Sequence, residues 1–263
     1  MRGSKPYKKA KRNRRRRRRS FNLVVSFVCF ALVLAALVSA AVIFFKIGSI
    51  EVVGETKYSS DDIVSASKLK VGQSMFLFNK FASISSIFSA CPYIDEIQMK
   101  RTLPDVLQII VTPCEPAAII DIDGKYYIID IKGKILENPP SLPELKLPAV
   151  TGAAFNNPEV GKYAVFSEQE TSKALFSVLN TAKNSDILIN ISSIDITRVY
   201  DINYEYLERF TVKIGTADDL EHKLKFVDAV IAALGANEKG IIDVSDGETG
   251  YFNQTKDKTN IGG

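Results

Sequence analysis

The chain holds one histidine, His222, and three cysteines, Cys29, Cys91 and Cys114, so the side chains that carry most nucleophilic, acid–base and metal chemistry are scarce. A lone histidine excludes the two-histidine zinc motif, and no GxSxG, CxxC or GxxxxGK(S/T) run occurs. His222 has Asp218, Asp219, Lys225 and Phe226 at helical spacing, which describes an exposed salt-linked helix face rather than a ligand set. Ser167 and Ser245 have no base near them in sequence. The pairs Asp61-Asp62 and Asp218-Asp219 fall where helices should begin, and the helix dipole favours carboxylates there. Asp121 and Asp123 flank a turn. The cysteine spacing matches no metal motif. These residues imply no catalytic group, no cofactor and no metal, and leave binding as the function to look for.

The elements that would position a binding surface start with a membrane anchor. From Leu23 to Phe45 the chain is uncharged for 23 residues, a helix of roughly 34 Å against a hydrocarbon core of ~30 Å. Arg14, Arg15, Arg16, Arg17, Arg18 and Arg19 lead directly into it. Twelve of the 34 basic residues precede Ser20, which leaves 22 against 30 acidic residues beyond it, so the overall +4 hides two segments of opposite sign. The positive-inside rule places the N-terminus in the cytoplasm and the remainder outside it. Val38-Ser39-Ala40 resembles a signal-peptidase site, but it lies inside an apolar run longer than a signal peptide's ~7–15 residues, so the segment reads as an uncleaved anchor. The arginine run orients the span and suits anionic lipid; with Tyr7 as its one aromatic it has no device for specific nucleic-acid binding.

Beyond the span the pattern is α+β. Ile47 to Val53 reads as a strand, Ser59 to Leu69 as a capped helix, and Lys80 to Ala90 as an amphipathic helix. Ile94 to Arg101 and Val106 to Thr112 form a hairpin, completing a β-α-α-β-β unit. A second unit follows Pro113 and Pro116. Ala117 to Ile122 and Lys125 to Ile131 join at Asp123-Gly124, a type I′ turn signal, and Lys134 to Leu136 follows as a further short strand. Residues 138–148 form a proline-rich ordered excursion. A Ser167–Glu170 capping box opens one helix; Thr216 with Asp219 opens another that closes at Gly235. Ile189 to Tyr200 and Tyr204 to Ile214 each read as one strand, and Ile241 to Val244 with Gly250 to Phe252 as the last two. Those terminal strands either pair with a partner segment or finish the sheet and fill its core.

This order of features resembles the FtsQ/DivIB family of bacterial cell-division proteins, which set a POTRA domain and a β domain on one N-terminal anchor. The resemblance rests on Phe44 to Gly54 leaving the span, Gly72, Pro92-Tyr93-Ile94, the run RTLPDVLQIIV from Arg101 to Val111, Pro116-Ala117, Tyr127 to Ile135, Leu147-Pro148 with Thr151-Gly152, and Ile241 to Val244. Pro113-Cys114 departs from the family's usual Glu-Arg, and tryptophan is absent. The expected organisation is a basic cytoplasmic tail (1–20), a transmembrane helix (21–45), a POTRA domain (46–114), a β domain with a mixed sheet and flanking helices (115–252) and a flexible tail (253–263).

The resemblance implies a non-enzymatic divisome protein. Outside the cytoplasm it would bind the bitopic partners FtsL and FtsB/DivIC, and it would serve septal peptidoglycan synthesis from the membrane at the septum. The matching partner-binding positions are Ile241, Ile242, Asp243, Val244, Gly250, Tyr251 and Phe252, and a charge at Tyr251 or Ile242 is expected to abolish binding while leaving the domain folded. A POTRA module for secretion or chaperoning would be expected to carry tandem POTRA units, and an anchored peptidoglycan enzyme finds no supporting residues. The hairpin about Leu103 sets Cys114 opposite Pro92, one residue from Cys91, so a Cys91–Cys114 disulfide and two separate buried thiols both stand open.

Overall fold

The computed structural model describes residues 10–254. Residues 1–9 of the expected tail 1–20, the side chains of Arg14 to Arg19, and residues 255–263 of the expected C-terminal tail lie outside the described part. Helix α1 (Ala10–Phe44) contains one stretch long and apolar enough to cross a membrane, Val24–Phe44.

The POTRA-type unit comprises β1 (Ser49–Val53), α2 (Ser60–Ser67), α3 (Lys80–Ala90), β2 (Ile94–Thr102) and β3 (Val106–Pro113). Its three strands lie in the order β1-β3-β2, with β1 parallel and β2 antiparallel to β3. Leu107, Ile109 and Val111 alternate inward along β3 and meet Ile63 of α2 and Ile87 of α3 in one core. Ser59 caps α2 as a reciprocal box: its hydroxyl accepts from the Asp62 N–H at 3.1 Å while Asp62 accepts from the Ser59 N–H at 3.2 Å. Asn79 caps α3 by accepting from the Ala82 N–H.

The second unit is a nine-stranded mixed sheet. Its strands are β4 (Pro116–Ile122), β5 (Lys125–Asp130), β6 (Ile135–Glu137), β7 (Ala149–Thr151), β8 (Ile191–Asp195), β9 (Ile202–Tyr206), β10 (Phe210–Gly215), β11 (Gly240–Asp243) and β12 (Tyr251–Gln254). They run in the order β12-β11-β10-β9-β8-β7-β4-β5-β6. Helices α4 (Gln169–Asn184) and α5 (Leu220–Ala233) supply Leu175, Val178, Leu179, Leu224 and Val227 to a core shared with Ile120, Ile194, Tyr204, Phe210, Val212 and Ile242. Residues 138–148 carry no regular structure and bring Leu147 against Ile119, Ile128 and Leu136.

Several local expectations are corrected. The Ser167–Glu170 box is not made: Glu168 is the N-cap of α4, and the Ser167 hydroxyl donates to Asn156 instead. Asp219 is the N-cap residue of α5, as anticipated, but neither it nor Thr216 makes a side-chain cap. Asp219 sits at φ 50 without a side-chain cap bond, while the Lys223 ammonium donates to the carbonyls of Ile214 and Thr216 at 2.8 and 2.9 Å. Leu234 in extended conformation, not Gly235, ends α5. The segment 189–200 is a 3-10 turn followed by β8, which stops where Asp195 accepts from the Thr197 N–H. The segment 204–214 is two strands, not one: Leu207 and Glu208 both adopt φ 55, the left-handed pair of a primed hairpin turn, and fold β10 back onto β9.

The alternative left open at the cysteines is decided for two separate thiols. Both Cys91 and Cys114 are free buried thiols. The β2–β3 ladder pairs Thr102 with Val106 and Glu96 with Thr112, then shifts at Asp95, so Cys114 bonds through its N–H to the Tyr93 carbonyl. Cys91 faces the POTRA core, whereas Cys114 belongs to the small cluster with Ile119, Ile128 and Leu136.

The two units meet at a polar junction built from the turn between β5 and β6. Asp130 holds this turn by accepting from the N–H groups of Lys132 and Lys134 at 2.9 and 2.7 Å. The turn aims two ammonium groups at the POTRA unit. Lys132 bonds both carboxylate oxygens of Asp95, and buried Lys134 donates to the carbonyl of Ile94 at 2.6 Å while lying over the ring of Phe88. The Tyr93 hydroxyl donates to Glu137 at 2.7 Å.

Candidate partner-binding edge

The last two strands form the sheet's far margin. β11 lies parallel to β10, and β12 returns antiparallel to β11 with Ile242 opposite Phe252 and Asp243 opposite Tyr251. β12 is the terminal strand, so one of its sides is hydrogen-bonded to β11 and the other presents backbone N–H and C=O groups outward. Its four residues give an edge of roughly 13 Å.

The turn before β12 is set by carboxylates. Asp243 accepts from the N–H and hydroxyl of Ser245, and Asp246 accepts from the N–H groups of Glu248 and Thr249 and the Thr249 hydroxyl. Those donors hold the Asp246 carboxyl below its ordinary range. Gly250 then passes over α5 so closely that an added Cβ would meet Val230 at 2.8 Å. That approach seats β12 against the helix.

The seven anticipated positions separate by face. Ile242 and Val244 are fully buried. Phe252 is half-buried, its ring edge-on to Phe210 at 6.3 Å, and so locks β12 to the core. Tyr251 is 59% exposed, and Ile241 and Asp243 lie partly exposed beside Thr211 and Lys213 of β10. The expectation that a charge at Ile242 spares the fold is therefore corrected: at zero exposure a carboxylate there would enter the apolar core. Asn253 and Gln254 extend the edge beyond the anticipated set, exposed and paired with Ile241 and Gly240. Their polar, non-alternating run carried no strand signal.

The residues with chemical potential lie elsewhere. His222 is exposed on α5, its ring edge-on to Phe226 at 4.8 Å. Asp95, Cys114 and Asp130 bring ligand-type atoms within 4.8 Å of one another. They do not fit a metal: Asp95 already binds the Lys132 ammonium, Asp130 accepts from two backbone N–H groups, and the Cys114 thiol donates to Asp130 at 3.0 Å. Burial, then the Asp130 carboxylate, pushes the Cys114 thiol up to about 12, far from the thiolate a metal or a nucleophile needs. The trio is part of the junction.

A helix of bilayer-spanning length, a POTRA-type unit and a large mixed sheet that ends in an open edge define the class: a POTRA-type domain and a mixed-sheet domain behind one apolar N-terminal helix. A family model described as "POTRA domain, FtsQ-type" matches residues 45–112, and one described as "Cell division protein FtsQ/DivIB, C-terminal" matches residues 118–245. The chain is 31% identical over 236 residues to the cell division protein DivIB of Clostridium botulinum (strain Hall), covering 88% of this chain and 90% of that one. It is 28% identical to DivIB of Clostridium acetobutylicum, covering 77% and 80%. It is 24% identical to the cell division protein FtsQ of Corynebacterium glutamicum, covering 81% and 90%. The chain belongs to the FtsQ/DivIB family of bacterial cell-division proteins.

Proposed function

We propose that this chain is a non-enzymatic assembly protein of the division machinery and that it receives an extended segment of a bitopic FtsL- or FtsB/DivIC-type partner along β12. The observation that carries this reading is the position of β12: last in strand order, bonded on one side, with Tyr251 exposed above it. Main-chain hydrogen bonds to the free side would supply affinity, while Tyr251, Ile241 and Asp243 would select side chains. Ile242, Val244, Gly250 and Phe252 hold the edge in place from beneath.

In this reading α1 spans the cytoplasmic membrane with the arginine tail inside, against anionic lipid, and the two domains outside. Confinement to the membrane plane raises the effective concentration of other anchored division proteins. Recruitment to the septum, and through it to the peptidoglycan synthesis machinery, follows from those contacts. The test is a fluorescent fusion of the full chain in dividing cells, beside its Tyr251→Lys variant. The reading expects a midcell band and co-purification of the bitopic partners, with co-purification lost in the variant. Uniform membrane signal, or undiminished co-purification by Tyr251→Lys, would contradict it.

A further inference from the structure

The end of the POTRA unit nearest the apolar helix carries an exposed apolar rim that its own core does not use. Val71, Leu77, Phe81 and Leu103 are 65, 70, 82 and 58% exposed, and Phe44 at the end of the helix is 82% exposed. We propose that this rim is a lipid-binding surface that rests in the headgroup layer of the bilayer and docks the POTRA unit onto the membrane. The proposal depends on the reading of Val24–Phe44 as a membrane span.

The absence of a linker carries the argument. Val24–Phe44 is 21 residues, about 31 Å of helix, which matches a ~30 Å hydrocarbon core and puts Phe45 at its boundary. From there the backbone is tied repeatedly to the rim loops. The Phe45 carbonyl accepts from the Met75 N–H at 3.0 Å, Ile47 exchanges bonds with Gln73 and Gly72 at 2.9 and 2.7 Å, and the Gly48 N–H donates to Asp105 at 2.7 Å. The Phe45 and Phe76 rings meet edge-on at 5.9 Å. Residues 24–39 are exposed throughout, whereas Ala40, Ala41 and Val42 are partly covered, so the domain begins against the last turns of the span itself. Loops bonded at the hydrocarbon boundary and within three residues of it are held at a headgroup layer that is roughly 5–8 Å thick on each side.

Charge agrees with that placement. Segments 44–50, 70–82 and 101–106 contain Lys46, Lys70, Lys80 and Arg101 against one carboxylate, Asp105. Arg101 donates to the Met75 carbonyl at 2.8 Å and lies over the Phe76 and Phe78 rings. Large apolar side chains interleaved with cations are the composition of a surface that sits in an anionic interface.

The chain has no tryptophan, so one introduced residue reports alone. Full-length Leu77→Trp and Phe81→Trp would be reconstituted in phosphatidylglycerol/phosphatidylcholine vesicles carrying bromines just below the headgroups. Val53→Trp, at the opposite end of β1 and 45% exposed in the native residue, is the control. The proposal expects blue-shifted emission and loss of most of the intensity for the two rim positions, neither effect for the control, and weaker quenching when Lys70→Glu and Lys80→Glu are added. Co-flotation with the vesicles but no bromine quenching at either rim position would overturn the lipid assignment alone. A blue shift without quenching would hand the rim to a second copy or a protein partner, which also overturns it. Failure to co-float would overturn the span and the rim together.

Discussion

Replacing Lys134 by methionine should loosen the joint between the two domains, and the structure sets the size of the effect. The ammonium is buried, donates to the Ile94 carbonyl at 2.6 Å and lies 4.8 Å from the centre of the Phe88 ring. A hydrogen bond from a charged donor contributes about 1.5–3 kcal/mol, and a buried carbonyl stripped of its donor costs about 1–3 kcal/mol more. Removing the cation also takes from Asp130 one of its neighbouring ammonium groups and leaves Lys132 as the other. Against these stands the desolvation of the ammonium, which holds the Lys134 pKa below its ordinary value and is relieved in methionine. The balance is a loss of about 2–4 kcal/mol, read as a lower urea midpoint of the full chain in micelles by circular dichroism. Lys134→Arg should recover part of it, because the donor is kept. A Lys134→Met midpoint equal to that of the native chain would refute the account of the junction.

Ile242→Ala removes a fully buried side chain and should cost about 2–5 kcal/mol in the same unfolding assay, whereas Tyr251→Lys should change stability by less than about 0.5 kcal/mol; equal effects would erase the distinction between support and contact. The Tyr204 hydroxyl is buried and has no hydrogen-bond partner among the described residues, so Tyr204→Phe should raise stability by about 1 kcal/mol; a loss of stability would show that the hydroxyl is satisfied. With its pKa raised to about 12, Cys114 is thiolate to about one part in ten thousand at pH 8, so iodoacetamide should leave Cys91 and Cys114 unmodified in the native chain and alkylate both after denaturation; a Cys91–Cys114 disulfide peptide by mass spectrometry would contradict the free thiols. Because that pKa lies above the ordinary thiol value of 9.0, the contribution of Cys114 to stability is full below pH 9 and is lost as pH rises towards 12. Cys114→Ala should remove that part of the alkaline decline, and an unchanged decline would count against it.

What could be read from the sequence was local. The cap that opens the helix at Ser59, the Asp123-Gly124 turn and the alternation along β3 are each determined by residues within a few positions, and the structure holds all three. The β9–β10 hairpin escaped because Leu207 and Glu208 adopt left-handed backbone without the asparagine or glycine that announces it. The choice left open at the cysteines falls to two thiols because the β2–β3 ladder centres on Pro104, pairing Thr102 with Val106, rather than on Leu103, so that Cys114 meets Tyr93 even after the shift at Asp95. The side-chain caps at Ser167 and Asp219 are not made: Asn156 takes the serine hydroxyl, and Asp219 adopts a left-handed backbone without a side-chain bond. Asp130 and Lys134 stood out in no motif, because their partners lie up to 40 positions away. The terminal strands were legible as strands, but the division of their residues into buried support and exposed contact needed the register of β11 against β10 and β12.

The most direct test of the β12 edge is hydrogen–deuterium exchange on the full chain in lipid nanodiscs, alone and with an FtsB/DivIC-type bitopic partner. Strand addition predicts that those amides of 251–254 that point away from β11 in the free chain gain strong protection in the complex, while Tyr251→Lys abolishes the gain. A stable complex in which exchange across 251–254 is unchanged would place the partner elsewhere and contradict the account.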